Sequence, residues 1–205
     1  MKKLIAALAA VFLFVAPAFA DTKADVKTYT QHVIDKAIID VFKKGTTLEQ
    51  RIPPFREVVK KNFDFGYIAN FILGTYSRNL DPKDKADFID AFTELGVQSY
   101  ARKFANYADM PVVVERVEMG KKDGEFFVDS KVKNPDGTGR DYEIVWRVVK
   151  VGDGYKVIDI VVEGVSMAMS YKNEYAQALK EAAGEDKPPV PTLTRKIRER
   201  ISGLK

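Results

Sequence analysis

Apolar positions along the chain recur at two periods, and the change between them falls near Pro111. Before it the spacing is three and four. In "DVKTYTQHVIDKAIIDVFKKG" Val26, Tyr29, Val33, Ala37 and Val41 share a helical face, Ile34 and Ile38 broaden it, and Gly45 follows as a stop. "TTLEQRIPPFREVVKKNFD" repeats the pattern at Leu48, Ile52, Phe55, Val59 and Phe63, with Pro53 and Pro54 predicting a break or kink. A short apolar helix, "FGYIANFILG", ends at Gly74. "LDPKDKADFIDAFTELGVQSYARKFANY" opens with Asp81 as N-cap and Pro82 at the first helical position. It carries Phe88, Phe92, Leu95, Ser99, Tyr100 and Phe104 along one side and is expected to be the longest helix.

After Pro111 the period is two, which marks strands. "VVVERVEM", "EFFVDSKVK", "RDYEIVWRVVKV" and "YKVIDIVVE" are separated by the glycine-bearing turns "GKKDG", "NPDGTG" and "GDG", predicting a four-stranded antiparallel meander. Alternation assigns Phe126, Val128, Ser130 and Val132 to one face, with Tyr142, Ile144, Trp146 and Val148, and with Ile158, Ile160 and Val162. Tyr155, Val157, Asp159 and Val161 are expected to point away, and the helix from Pro82 is expected to cover the greasy face. A further helix is expected from Gly164 to about Ala183, with Val165, Ala168 and Met169 on one line and Tyr171, Tyr175 and Leu179 on another. The breaker "GEDKPPVP" precedes a last amphipathic helix with Leu193, Ile197 and Ile201 on one side. This is an α+β pattern with more apolar helix surface than one small sheet needs. Most such stripes are simply core.

The first twenty residues stand outside this scheme. Lys2 and Lys3 precede an apolar run from Leu4 to Val15, then Pro17 and the small residues Ala18 and Ala20, the layout of a secretory signal cleaved after Ala20. The mature chain, residues 21–205, is expected to form one domain: mainly helical over 21–110, sheet over 111–163 and C-terminal helices over 164–205. With no cysteine, an exported chain has neither disulfides nor a lipidated cysteine and must fold on packing alone. The formal charge of +4 falls to +2 once Lys2 and Lys3 are removed, too balanced to point to nucleic acid. Basic residues collect in "RKIRERISGLK" against Glu199 alone, a pattern of a solvated face or of a docking helix for a protein partner.

Candidate chemistry is sparse. The absence of cysteine rules out a thiol nucleophile, and the only histidine, His32, lies opposite the Tyr29 and Val33 stripe with no orienting group in sight. "EGVSM" lacks the closing glycine of a nucleophile elbow, which leaves Ser166 without a catalytic context. One histidine and no cysteine cannot make a zinc cluster, and "DPKDKAD" lacks the glycine and terminal glutamate of a calcium loop. An acid-base role stays open for Asp129, Asp159 or Glu163, should burial in an apolar cavity raise a carboxyl pKa.

Three stretches carry a resemblance. "NFDFGYIANFILGTYSRNLDPKDKADFIDAF", "SYARKFANY" and "YKVIDIVVEGVSMAMSYKNEY" resemble, in order from about Thr47 to Ala183, the MlaC family of periplasmic phospholipid-binding proteins, also called the toluene-tolerance auxiliary family. The Phe-Asp pair, the Leu-Gly-x-Tyr element and the Val-Glu-Gly-Val-Ser element carry it, with the first helix and C-terminal tail outside. Ser77 before Arg78, the pair Pro53 and Pro54, and "DKPPVP" depart from the family pattern. The resemblance implies a curved four-stranded antiparallel sheet wrapped by several helices around an apolar cavity for phospholipid acyl chains. It implies a monomeric carrier, not an enzyme, with bound phospholipid as cargo and no cofactor. Its partners would be an outer-membrane lipoprotein complex and an inner-membrane ABC transporter with an MCE-domain ring, and its task the upkeep of outer-membrane lipid asymmetry. A hopanoid is the alternative cargo. Under this resemblance the lipid would meet Phe71, Phe92, Leu95 and Phe104 from helices, Phe126, Val128, Ile144, Trp146, Ile158 and Ile160 from strands, and Met167 and Met169 after the sheet.

Overall fold

The computed structural model describes residues 19–42, 45–104, 110–133 and 141–204. Residues 1–18 of the expected export signal, the turn expected at 134–139 and the side chain of Phe104 lie outside the described residues. Helix α1 (Phe19–Asp35) runs into a π-helical turn at Lys36–Asp40. It is followed by α2 (Leu48–Asn62), α3 (Phe65–Leu73) and α4 (Pro82–Phe104), the longest as expected. Five strands then pair antiparallel in chain order in one open sheet: β1 (Val112–Met119), β2 (Glu125–Val132), β3 (Tyr142–Val151), β4 (Gly154–Val162) and β5 (Val165–Ser166). Helices α5 (Met167–Gly184) and α6 (Pro189–Ser202) complete the α+β fold.

Of the break or kink expected at Pro53 and Pro54 the break is absent, and α2 continues through both. Thr47 caps the helix from both sides: its hydroxyl accepts from the Gln50 backbone N–H, and its own N–H donates to the Gln50 side chain at 2.9 Å. The carbonyls of Glu49 and Gln50, deprived of their usual donors by the prolines, belong to exposed residues and can be solvated. One turn further, Phe55 is 4% exposed and meets Phe42 edge-on, which anchors the helix past the prolines.

The β2 and β3 faces follow the alternation: Phe126, Val128, Ser130 and Val132 stand beside Val148, Trp146, Ile144 and Tyr142. In β4 the alternation fails halfway. Ile144 pairs with Val162 and Trp146 with Ile160, but Val148 pairs with Val157, so Ile158 is the extra residue of a bulge. Tyr155 and Val157, expected to point outward, therefore join the inner face. Val157 is fully buried, and the Tyr155 ring lies 5.6 Å from Tyr29 and 6.1 Å from Phe126. Ile158 is buried at the bulge, where it does not continue the row of Ile160 and Val162.

The cover of this face is α1, not α4. Val26 and Ile34 are buried against Val112, Val114, Phe126, Val128, Trp146, Val148 and Val157, with Tyr29 and Ile38 at the edges. The α4 stripe is already occupied: Phe88, Phe92 and Leu95 pack with Ile68 and Ile72 of α3, Tyr175 and Leu179 of α5, and Leu193 and Ile197 of α6. Each element can bury its stripe only once, and α6 supplies the complementary stripe, with Leu193, Ile197 and Ile201 all buried as expected. The arginines on the solvent side of α6 form ion pairs, Arg195 with Glu199, Arg198 with Asp90 and Arg200 with Glu174.

Val165 also departs from expectation, being strand rather than helix. Glu163 and Gly164 both have positive φ, 48° and 79°, the combination of a two-residue hairpin turn that matches strand twist. The chain doubles back, Val165 pairs with Val162 and Ser166 with Val161, and the helix starts only at Met167.

Candidate functional site

The inner sheet face has a polar anchor in an otherwise apolar surface. Trp146, 7% exposed, donates its indole N–H to the Ser130 hydroxyl at 2.9 Å, and that hydroxyl donates to the Ile144 carbonyl at 3.2 Å. The indole is thereby satisfied where no water reaches it. Over β1 and β2 the face is sealed by α1, and toward the far ends of β3 and β4 the cover thins. Ile144 and Ile160 are half-buried, while Tyr142 is 43%, Val162 38% and Val165 61% exposed. Register places Ile144, Val162 and Val165 side by side, so the apolar surface runs unbroken from the packed floor to solvent. Half-buried Met167 and exposed Met169 follow at the start of α5.

A clamp on the opposite sheet face fixes this rim. Asp159, 4% exposed, accepts from the Ser166 hydroxyl at 2.6 Å and from the Ala168 N–H at 3.0 Å. The Ser166 oxygen accepts in turn from the Met169 N–H at 3.1 Å, so two side chains cap the first turn of α5. Arg147 stands beside them, 4.0 Å from Asp159, 2.7 Å from buried Glu125 and over the Phe127 ring. Asp129 is held by Arg116 at 2.7 Å. Register puts Asp129 and Asp159 opposite Val145 and Arg147, outside the apolar interior where an acid-base role would need them. The Glu163 carboxylate accepts from the Glu143 N–H at 2.7 Å and tightens the turn before β5.

The residues singled out in the sequence fall into two groups. Phe126, Val128, Ile144, Trp146 and Ile160 share the inner-face cluster, Ile158 lies at the bulge, and Met167 and Met169 are in the first turn of α5, outside that cluster. Phe71, Phe92 and Leu95 belong to the helical cluster, where the Lys172 ammonium lies 4.5 Å from the Phe71 ring centre. Phe63 joins the two, packing against both clusters. From it an aromatic run continues through Phe65 and Phe92 to Tyr171, with ring separations of 5.9, 6.4 and 5.0 Å. Sequence reasoning missed Val157, Tyr155 and Phe63 as inner-face residues. Only the bulge and the bridge between Phe63 and Val157 bring them there, and neither has a hydropathy signal.

Burial raises the phenol pKa of Tyr29 to about 12, and its hydroxyl donates to the Asn62 carbonyl at 3.1 Å. Burial likewise pushes up Tyr100 and Tyr175, so these phenols stay neutral. Among the described residues no group of three or more histidine, cysteine or carboxylate side chains could hold a metal ion, and no helix is long and apolar enough to cross a membrane.

The family model for the MlaC protein matches residues 27–188. That span takes in most of α1, which the sequence motifs alone left outside. None of the curated proteins matches the chain. Among solved structures, a phospholipid-binding protein from Ralstonia solanacearum, determined in complex with a phospholipid, superposes with a TM-score of 0.75 at 22% identity. The match covers 88% of this chain and 98% of that one, and at this identity it establishes the fold.

Proposed function

The chain belongs to the MlaC family, and we propose on that premise that it is a periplasmic lipid carrier. It would hold the acyl chains of a glycerophospholipid against the inner sheet face. The observation that carries this is the continuous apolar surface from buried Trp146 through half-buried Ile144 and Ile160 to exposed Val162 and Val165. A soluble domain gains nothing from an apolar band that opens to water unless something apolar comes to cover it. A diacyl lipid brings some thirty methylenes, each contributing about 0.8 kcal/mol on leaving water, so capture is strongly driven. The flexible side chains of Met167 and Met169 suit a surface on which chains of different shape must seat. The headgroup would remain in water at the rim. The solved phospholipid complex of the same fold supports this reading, and family membership supports periplasmic shuttling between an outer-membrane lipoprotein complex and an inner-membrane ABC transporter.

Incubating the mature chain with vesicles of fluorescently labelled phosphatidylglycerol and phosphatidylethanolamine, then separating protein from vesicles, tests this directly. Label is expected to travel with the protein at no more than one lipid per chain. Label that stays wholly with the vesicles would overturn the reading.

A further inference from the structure

Helices α2 and α4 meet in a ladder that is closed at one rung and open at the next. Arg56 of α2 donates two hydrogen bonds of 2.8 Å to Glu94 of α4. One turn further along α2, Lys60 reaches the level of Asp90, one turn back on α4. That rung is not made. Asp90 turns to Arg198 of α6 at 3.5 Å, and Lys60 has no ion-pair partner among the described residues.

Between the open rung and the start of α3 lies a recess of about 420 Å³, within the range of small-ligand sites. Its apolar end is formed by half-buried Phe63, Phe65 and Ile89. Its polar end holds Lys60 and the Thr93 side chain. Thr93 is 2% exposed, lines the recess, and makes no side-chain hydrogen bond among the described residues. The hydroxyl is open to the recess, where water or a ligand head can pair it. Asp90 also lines this end and pairs with Arg198 at 3.5 Å, and Lys60, which makes no ion pair among the described residues although its charge acts on Glu94, is the cation here.

We propose that this recess is a second lipid site, which takes a single unbranched chain with an anionic head. The chain would lie on Phe63, Phe65 and Ile89, and the head would accept from Lys60 and Thr93. A fatty-acid carboxylate and a lysophospholipid phosphate share that chemistry. Apart from Phe63, the site uses none of the inner-face residues and stands whether or not the diacyl reading holds.

Binding of dodecanoate and of 1-lauroyl-lysophosphatidylglycerol to the mature chain, followed by calorimetry and by amide shifts in NMR, provides the test. At least one ligand is expected to bind with stoichiometry one and to shift Phe65, Ile89 and Thr93, and the tighter of the two identifies the head. Lys60→Gln, at an exposed position, is expected to weaken it about tenfold, and Thr93→Val about fivefold. Ala86→Trp, at the exposed lip, is expected to block the recess in a folded protein. Uncharged dodecyl maltoside should be insensitive to Lys60→Gln. Shifts confined to Ile144 and Ile160, binding unchanged by both Lys60→Gln and Ala86→Trp, or binding of neither anionic ligand would overturn the proposal.

Discussion

Asp159→Ala is expected to destabilise the protein by about 3 kcal/mol. The carboxylate is 4% exposed and accepts two hydrogen bonds, from the Ser166 hydroxyl at 2.6 Å and the Ala168 N–H at 3.0 Å. Hydrogen bonds to an ionised acceptor contribute about 1.5 to 3 kcal/mol each, and the alanine variant leaves the buried Ala168 N–H without its acceptor. Against this, removing a buried negative charge relieves desolvation, and Arg147 keeps Glu125 at 2.7 Å. Ser166 also still caps Met169. The low end of the range is therefore expected, about 1.5 kcal/mol for each of the two bonds. Asp159→Asn retains an oxygen for Ala168 and a polar group beside Ser166, so it should lose about half as much. In a domain of this size 1 kcal/mol moves the midpoint by about 2–4 °C, giving a shift of about 6–12 °C for alanine. Urea unfolding followed by Trp146 fluorescence, with thermal melts by circular dichroism, measures both variants. An alanine variant within about 0.5 kcal/mol of wild type would refute the clamp. An asparagine variant as damaged as alanine would show that charge beside Arg147, not capping, is what matters.

Gly164→Val is expected to lose about 1–3 kcal/mol in urea unfolding, wholly through the backbone, because φ is 79° and a Cβ would meet nothing within 4 Å. A variant as stable as wild type would mean that the turn relaxes at no cost. Met169→Asp, at a position 44% exposed, should unfold within about 0.5 kcal/mol of wild type yet retain less lipid after transfer from vesicles. Full retention would place the start of α5 outside the site. Glu94 has its pKa lowered chiefly by the hydrogen bond from Arg56. Because the folded pKa lies below the unfolded one, this pair stabilises fully above the unfolded value near about 4.3 and is lost as pH falls through the folded value. The stability gap between wild type and Glu94→Gln should therefore be level from pH 6 to 8 and narrow in acid. A gap independent of pH would refute the assignment.

Helix stripes and strand alternation make most of the elements legible, because each depends on residues close in sequence. Leu193, Ile197 and Ile201 mark α6, and Phe126, Val128 and Val132 mark the inner face of β2, with no knowledge of what they touch. Partner choice is another matter. Both α1 and α4 offer broad apolar stripes, and nothing local says that α6 will occupy Phe88 and Leu95 and leave the sheet to Val26 and Ile34. The β4 bulge at Ile158 inverts the face of Val157 and Tyr155 without altering hydropathy, so alternation misplaces both. Asp159 is a similar case. As a lone carboxylate in an apolar strand it suggests acid-base chemistry, until the chain doubles back at Glu163 and Gly164 and brings Ser166 and the α5 N-terminus to it. The residues proposed to meet lipid divide along the same line. Ile144, Trp146 and Ile160 follow from one strand pair, whereas bringing Val165 beside Val162 on the same surface depends on the β5 turn.

Native mass spectrometry of the protein purified from the cells that express it tests the central claim most directly. A mass excess matching one phospholipid per chain is predicted, released as intact lipid on denaturation and diminished in Met169→Asp. A lipid-free mass under gentle ionisation, unchanged after incubation with phospholipid vesicles, would contradict the account.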